Sequence, residues 1–200
     1  MAPHQPHAVS SHRHLVVVLL AVAAVATTRR AACAASTDGS SSFLRERCAT
    51  TLDAGLCYDS LLPHAAEFQT SHVRLARVAA DVAAAHLRAL LANVKELLKT
   101  GTSAGDALHD CASTVSAAAN LVRQSSAELA GLEEGGSSSR WGLSNAKTWL
   151  SAAITNEGTC ADGINEAGAA AVSTSLDAGV AESRQHTSIA LALVNGIPLQ

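Results

Sequence analysis

Two stretches of this sequence carry matching apolar stripes, and each stripe contains one cysteine. The stripe positions recur at alternating steps of three and four residues, which is the spacing of the buried face of a bundle helix. We therefore expect two long helices that pack face to face. The first stripe comprises Leu108, Cys111, Val115, Ala118, Val122, Ser125, Leu129 and Leu132, and the second comprises Leu143, Ala146, Leu150, Ala153, Glu157, Cys160, Ile164, Ala167 and Ala171.

A Gly/Ser-rich turn over residues 133–139 separates the two stripes. The midpoint of Cys111 and Cys160 in the sequence lies inside this turn, between Gly135 and Gly136. If the two helices fold antiparallel about this turn, the two cysteines reach the same height, where their Cα atoms can approach within the roughly 7 Å that a disulfide needs. Of the three pairings that four cysteines allow, this geometry predicts the one with a Cys111–Cys160 disulfide.

The other two cysteines, Cys48 and Cys57, are nine positions apart. Along one straight helix they would be separated by about 13.5 Å, which is too far for a disulfide. The chain must therefore bend between them, and Gly55 is a candidate position for the bend. A Cys48–Cys57 disulfide would then close a small helical hairpin ahead of the bundle.

The whole pattern predicts an all-α fold. Aromatic residues make up only 2% of the chain, Ala, Leu and Val dominate, and no proline occurs between residues 65 and 197, all of which favours long helices packed through small side chains. Predicted breaks at 100–105, 133–139 and 173–179 divide the chain into helices near 70–99, 104–132, 141–171 and 176–195. We expect an antiparallel four-helix bundle with an N-terminal helical hairpin extension and two disulfides.

The N-terminal region has the pattern of a secretory signal. Residues 15–26 are an unbroken apolar run of twelve residues, shorter than the roughly 20 residues that span a bilayer. Small-x-small cleavage patterns follow at 24–26 and at 32–34. We predict a signal peptide over 1–34, a disordered polar linker over 35–42 and one domain over 43–200. Cleavage after Ala34 would remove Cys33, leaving four cysteines for two disulfides in an oxidising compartment.

The charge of the mature chain limits its partners. The sequence has 14 basic and 17 acidic residues, and three of the basic ones lie in the predicted signal peptide, which contains no acid. The remaining domain is therefore acidic and a poor ligand for nucleic acid. A basic protein partner would suit it better, and we expect no membrane association after signal cleavage.

The segment 101–105 resembles a motif that is typical of hydrolytic enzymes. Residues 101–105 match G-x-S-x-G, the nucleophile elbow of hydrolases, which requires a strand before it and a helix after it. The preceding residues 87–99 have a helical composition, so we interpret Ser103 as a helix N-cap instead. No phosphate loop, Cys-x-x-Cys pair or zinc motif occurs. We expect a protein that is not an enzyme, with no catalytic residue, no metal site and no cofactor.

A polar strip lies opposite the core stripe of the third predicted helix. Its members follow one another at steps of four, three and four residues, which places them on one helix face. Such a strip is either an ordinary solvated surface or a surface that recognises a partner, and the spacing alone does not decide between the two. The residues are Thr155, Thr159, Asp162 and Glu166.

Four motifs together resemble the plant invertase and pectin methylesterase inhibitor domain family over residues 43–195. The most specific is similar to W-x-SAALT followed by TC-x-DGF, and reads here as Trp149, Ser151 to Thr155, Thr159-Cys160 and Asp162-Gly163-Ile164. The others are Cys48, Thr51, Cys57, Ser60 and Leu61, then Asp110-Cys111, then Ser188 to Leu193. One departure is Asp53-Ala54, which stands where the family often has Tyr-Pro.

The resemblance implies a four-helix bundle with an N-terminal hairpin and the same two disulfides. It also implies a secreted inhibitor, monomeric before complex formation, that covers the substrate cleft of pectin methylesterase in the apoplast or cell wall. Thr159 and Asp162 match the family residues near the enzyme-facing surface, and Thr155 and Glu166 extend that face. An inhibitor of acid invertase is the alternative, although the Pro-Lys-Phe motif common in that branch is absent. A secreted bundle that binds a small ligand or a receptor is the alternative of another class.

Overall fold

The computed structural model describes residues 39–101, 103–133, 139–168 and 170–198. The predicted signal peptide, Cys33 and the first part of the predicted linker lie outside these ranges, and so does the centre of the 133–139 turn. Throughout the described ranges the ordered elements are helices, and no strand occurs there. The predicted all-α class is therefore confirmed.

Four long helices follow a short helical region. They are antiparallel to their neighbours, each packs against the next, and the last returns to pack against the first, which closes the bundle. Arg77 on the first long helix donates to Glu133 at the end of the second over 2.8 Å. The elements are α1 (39–48), α2 (Ala54–Leu61), a 3₁₀ turn (Leu62–His64), α3 (Ala65–Phe68), α4 (His72–Lys99), α5 (Gly105–Glu133), α6 (Ser139–Glu166) and α7 (Ala170–Asn195).

Helices α1 and α2 form the predicted disulfide-closed hairpin, but the bend lies elsewhere than predicted. Cys48 and Cys57 are bonded, with their Cα atoms 5.6 Å apart. The chain turns over residues 49–53, and Gly55 lies inside the first turn of α2. The reason is Asp53, whose side chain accepts a hydrogen bond of 2.8 Å from the backbone N–H of Leu56 and so caps α2.

The predicted disordered linker over 35–42 is too long. Residues 39–42 belong to α1, and Ser40 is buried with 3% of its surface exposed. Ser40, Leu44 and Cys48 follow one another at steps of four, so they form the buried face of a helix. Residues 39–42 therefore extend the amphipathic helix α1. The small side chain of Ser40 packs against the core, and the neighbouring positions remain on the outer faces.

The two apolar stripes form the α5–α6 interface as predicted. Cys111 and Cys160 are bonded, and their Cα atoms are 4.2 Å apart. The buried Ser125 hydroxyl donates to the backbone carbonyl of Ala146 over 3.2 Å, in the antiparallel register that the turn-centred symmetry requires. The second stripe does not extend to Ala167 and Ala171 as predicted. Both residues are exposed because α6 ends at Glu166, before them.

The predicted break between the third and fourth helices, at 173–179, is wrong. Helix α6 ends at Glu166 and α7 begins at Ala170, and Gly168 between them has φ +65°, the left-handed conformation that ends helices. The Ser/Thr-rich run lies inside α7. There the Thr174 hydroxyl donates to the Ala170 carbonyl over 2.9 Å, and the Ser175 hydroxyl donates to the Val172 carbonyl over 2.8 Å.

The G-x-S-x-G segment joins two helices. Helix α4 ends at Lys99, and Gly101 follows with φ +66°, so a helix and not a strand precedes the motif. Because α5 begins at Gly105, the cap position belongs to Ala104, and the interpretation of Ser103 as the N-cap is wrong by one residue. The strand–turn–helix geometry that a nucleophile elbow requires is not formed here.

Candidate partner-binding surface and buried polar groups

The structure places the four residues of the predicted polar strip on one exposed face of α6. Thr155, Thr159, Asp162 and Glu166 are all exposed. The Thr155 hydroxyl donates to the Ser151 carbonyl over 3.2 Å, and the Thr159 hydroxyl donates to the Thr155 carbonyl over 3.0 Å. Since these bonds occupy the hydroxyl protons, each Thr oxygen can only accept a hydrogen bond from a partner.

The two carboxylates of the strip complete an acceptor surface. Asp162 and Glu166 are one helical turn apart, and within the described ranges neither has a basic side chain in ion-pair contact. Like charges at this spacing repel each other in the isolated protein. The strip therefore offers hydroxyl lone pairs and negative charge together, which suits a partner surface rich in Arg, Lys or N–H donors.

The opposite face of α6 holds the strip rigidly. Cys160, next to Thr159 in the chain, is covalently joined to α5, and Leu150, Ala153 and Glu157 are fully buried. Contacts on a rigid element need less ordering when a partner binds than contacts on a mobile loop. The strip therefore lies on a rigid element of the bundle.

Glu157 is a buried acid on the core face of α6. Its Oε1 lies 2.9 Å from the Thr187 hydroxyl of α7, whereas its Oε2 is buried without a partner in the described structure. Burial raises the pKa of Glu157 to about 7, against the lowering effects of Thr187 and Arg184. The Thr187 oxygen also lies 3.0 Å from the Ser183 carbonyl. The single hydroxyl proton of Thr187 cannot donate fully to both Glu157 and the Ser183 carbonyl. A protonated Glu157 removes this conflict, because its own O–H can donate to the Thr187 oxygen.

A cluster that sequence reasoning missed lies between α4 and α7. The imidazole rings of His86 and His186 stack with centroids 3.8 Å apart, and His86 Nδ1 lies 3.5 Å from Glu182 Oε1. Burial lowers the pKa of His186 to about 4, with the neighbouring His86 as the second cause. The spacing of Glu182 and His186, four residues apart, was the available signal. The third member, His86, is about a hundred residues away from both in the sequence.

The described residues form a four-helix bundle behind a disulfide-closed helical hairpin, with an exposed polar strip on α6. The family model described as "Plant invertase/pectin methylesterase inhibitor" matches residues 42–193. This chain belongs to that family. Members of the family inhibit enzymes and are not enzymes themselves. Among the described residues, no helix combines the length and the hydropathy that a bilayer span needs.

Individual relatives agree with this assignment. A "21 kDa protein" of Daucus carota is 33% identical over 161 residues, which cover 78% of this chain and 83% of that protein. "Pectinesterase inhibitor 9" of Arabidopsis thaliana is 32% identical over 164 residues, covering 78% of this chain and 80% of that protein. A crystal structure of a mutant pectin methylesterase inhibitor from Arabidopsis covers 76% of this chain and 95% of its own, with a TM-score of 0.62 and 19% identity, and has the same fold.

Proposed function

We propose that this protein is a secreted inhibitor of pectin methylesterase, which it blocks by forming a stoichiometric complex over the substrate cleft. Family membership and the names of several relatives support the target. The observation that carries the proposal for this chain is the exposed strip on α6, whose Thr159 and Asp162 stand at the family's TC-x-D motif. In this proposal Thr159 accepts hydrogen bonds from the enzyme and Asp162 pairs with its positive charge, because both side chains are exposed.

Pectin methylesterase is favoured over the alternatives. Several similar proteins carry the name pectinesterase inhibitor, including "Pectinesterase inhibitor 9" and "Pectinesterase inhibitor 11" of Arabidopsis thaliana. The Pro-Lys-Phe motif of the invertase-inhibiting branch is absent from the sequence. Family membership also favours an enzyme inhibitor over a bundle that binds a small ligand or a receptor.

The site of action in this proposal is the apoplast or cell wall, reached through cleavage of residues 1–34. The two disulfides support an oxidising compartment. The mature protein would lack Cys33 and would be a monomer before it meets the enzyme. N-terminal sequencing of the secreted protein tests the cleavage, with a first residue after Cys33 expected. A mature chain that retained Cys33 in a disulfide would contradict this part of the proposal.

The double substitution Thr159→Ala with Asp162→Ala tests the strip. It removes one acceptor and one charge from a face that makes no core contact, so the fold should be unaffected. If the strip is desolvated against the enzyme, truncation should cost about 2 kcal/mol, or roughly a 30-fold weaker inhibition constant. The measurement is inhibition of a panel of pectin methylesterases at about pH 5 and about pH 7.

A matched control lies on α7. Thr174 and Asp177 are also three residues apart and exposed, and the Thr174 hydroxyl makes the same bond to the preceding helical turn as that of Thr159. Replacing both by Ala should change inhibition by less than about threefold. Equal inhibition by wild type and the Thr159/Asp162 variant would show that the strip is an ordinary solvated surface and does not contact the enzyme.

A further inference from the structure

Antiparallel packing of α4 and α7 brings three metal-binding side chains together. Glu182 and His186 are four residues apart on α7, so they share one helix face, and His86 faces them from α4. The potential ligand atoms of the three side chains all lie within 4.8 Å of one another. Each side chain contributes one nitrogen or oxygen, and the cluster joins helices that are distant in sequence.

We propose that His86, Glu182 and His186 form a binding site for a divalent transition-metal ion of the zinc type. Two imidazole nitrogens and one carboxylate oxygen are a common ligand set for Zn²⁺, which would keep its remaining position for water. Zn–N and Zn–O bonds of about 2.0–2.2 Å require ligand atoms about 3.4 Å apart in a tetrahedron. His86 Nδ1 and Glu182 Oε1, 3.5 Å apart, already meet this spacing, and separations of up to 4.8 Å elsewhere in the cluster must shorten by up to about 1.4 Å.

The burial of the three residues makes this contraction feasible. Glu182 is exposed and His86 is partly buried, so both can change rotamer, while His186 is buried at 3% exposure and supplies a fixed anchor. An ion at this position would join α4 to α7 and would not involve the strip on α6.

The surroundings of His86 favour a cation. On the side facing α2 and α3, His86 lines a groove of about 460 Å³. Three carboxylates line the same groove, those of Asp59, Glu67 and Asp81, of which Glu67 is paired with His64 over 2.6 Å. Clustered charge of one sign raises the local concentration of the opposite ion. The groove would therefore concentrate divalent cations beside the cluster.

Zinc titration of the purified secreted protein, without a histidine tag, tests the proposal. Calorimetry should give one saturable site, and Zn²⁺ at about 100 times its dissociation constant should raise the Tm by about 5–10 °C. His86→Gln and Glu182→Gln should each weaken binding by at least about 10-fold. His109→Gln, which changes an exposed histidine beside Asp110 on α5, is the control and should leave the dissociation constant unchanged.

A measurement on the unaltered protein avoids any effect of the substitutions on folding. In NMR spectra, Zn²⁺ should shift the imidazole signals of His86 and His186 and leave those of His109 in place. The proposal is overturned if millimolar Zn²⁺ produces no saturable binding. It is equally overturned if binding is unaffected by both variants, or if the shifted signals belong to other histidines.

Discussion

Replacing Cys111 and Cys160 together by Ala should lower the free energy of unfolding by about 4 kcal/mol. The disulfide closes a long loop that contains most of α5 and α6, with a sequence separation of 49, and the loss of chain entropy in the unfolded state grows with loop length. Urea denaturation at neutral pH, followed by circular dichroism, measures the change. The variant should keep its helical spectrum, because the stripes still pack.

The Cys48/Cys57 pair provides the comparison for this first prediction. Its sequence separation is only 9, so the same double replacement there should cost about 2.7 kcal/mol in the chain-entropy model. All four cysteines are buried, which makes the local packing losses similar. If removal of the Cys48–Cys57 disulfide costs as much as removal of the Cys111–Cys160 disulfide, loop length is not the origin of the stabilisation.

Glu157 should make the protein less stable as the pH rises. Because burial raises its pKa from 4.5 to about 7, the folded state holds this proton more tightly than the unfolded state does. The resulting stability is complete below about pH 4.5, declines as the pH rises and is lost above the folded pKa of about 7. The full effect corresponds to about 3 kcal/mol.

Glu157→Gln isolates this contribution, since the amide has nearly the same shape and does not titrate. We expect the difference in the free energy of unfolding between wild type and variant to change by about 3 kcal/mol between pH 4 and pH 8. Wild type should become less stable relative to the variant at the higher pH. Glu166→Gln, at the exposed end of the same helix, is the matched control for the amide replacement itself. A constant difference between wild type and the Glu157 variant across this range would contradict a raised pKa.

The bundle was predictable because its core has a repeating pattern. Steps of three and four placed Leu108, Val122, Leu143 and Leu150 on buried faces, and the structure buries all four. The helix ends were less predictable, because Ser, Thr and Gly occur both at helix ends and inside helices. Gly168 ends α6 in the left-handed conformation, but glycine permits a helix end without requiring one, because Gly158 and Gly163 lie inside the same helix.

The candidate sites also differ in how far the sequence predicts them, depending on whether their residues lie on one helix or on several. The strip on α6 was predictable because its four residues lie on one helix and their spacing fixes their common face. Glu157 was placed correctly on the core stripe, but its partner Thr187 is 30 residues away and its pKa depends on that packing. The His86 cluster depends on the register of α4 against α7, which no local pattern specifies.

Titration of a pectin methylesterase with the purified protein is the most direct test of the proposed function. We expect enzyme activity to fall in proportion to added protein and to reach its minimum near one equivalent, with a complex of the two chains recovered by size-exclusion chromatography. Undiminished activity of every esterase tested at a large excess of the protein would contradict the proposal, and inhibition of an acid invertase under the same conditions would identify the alternative target.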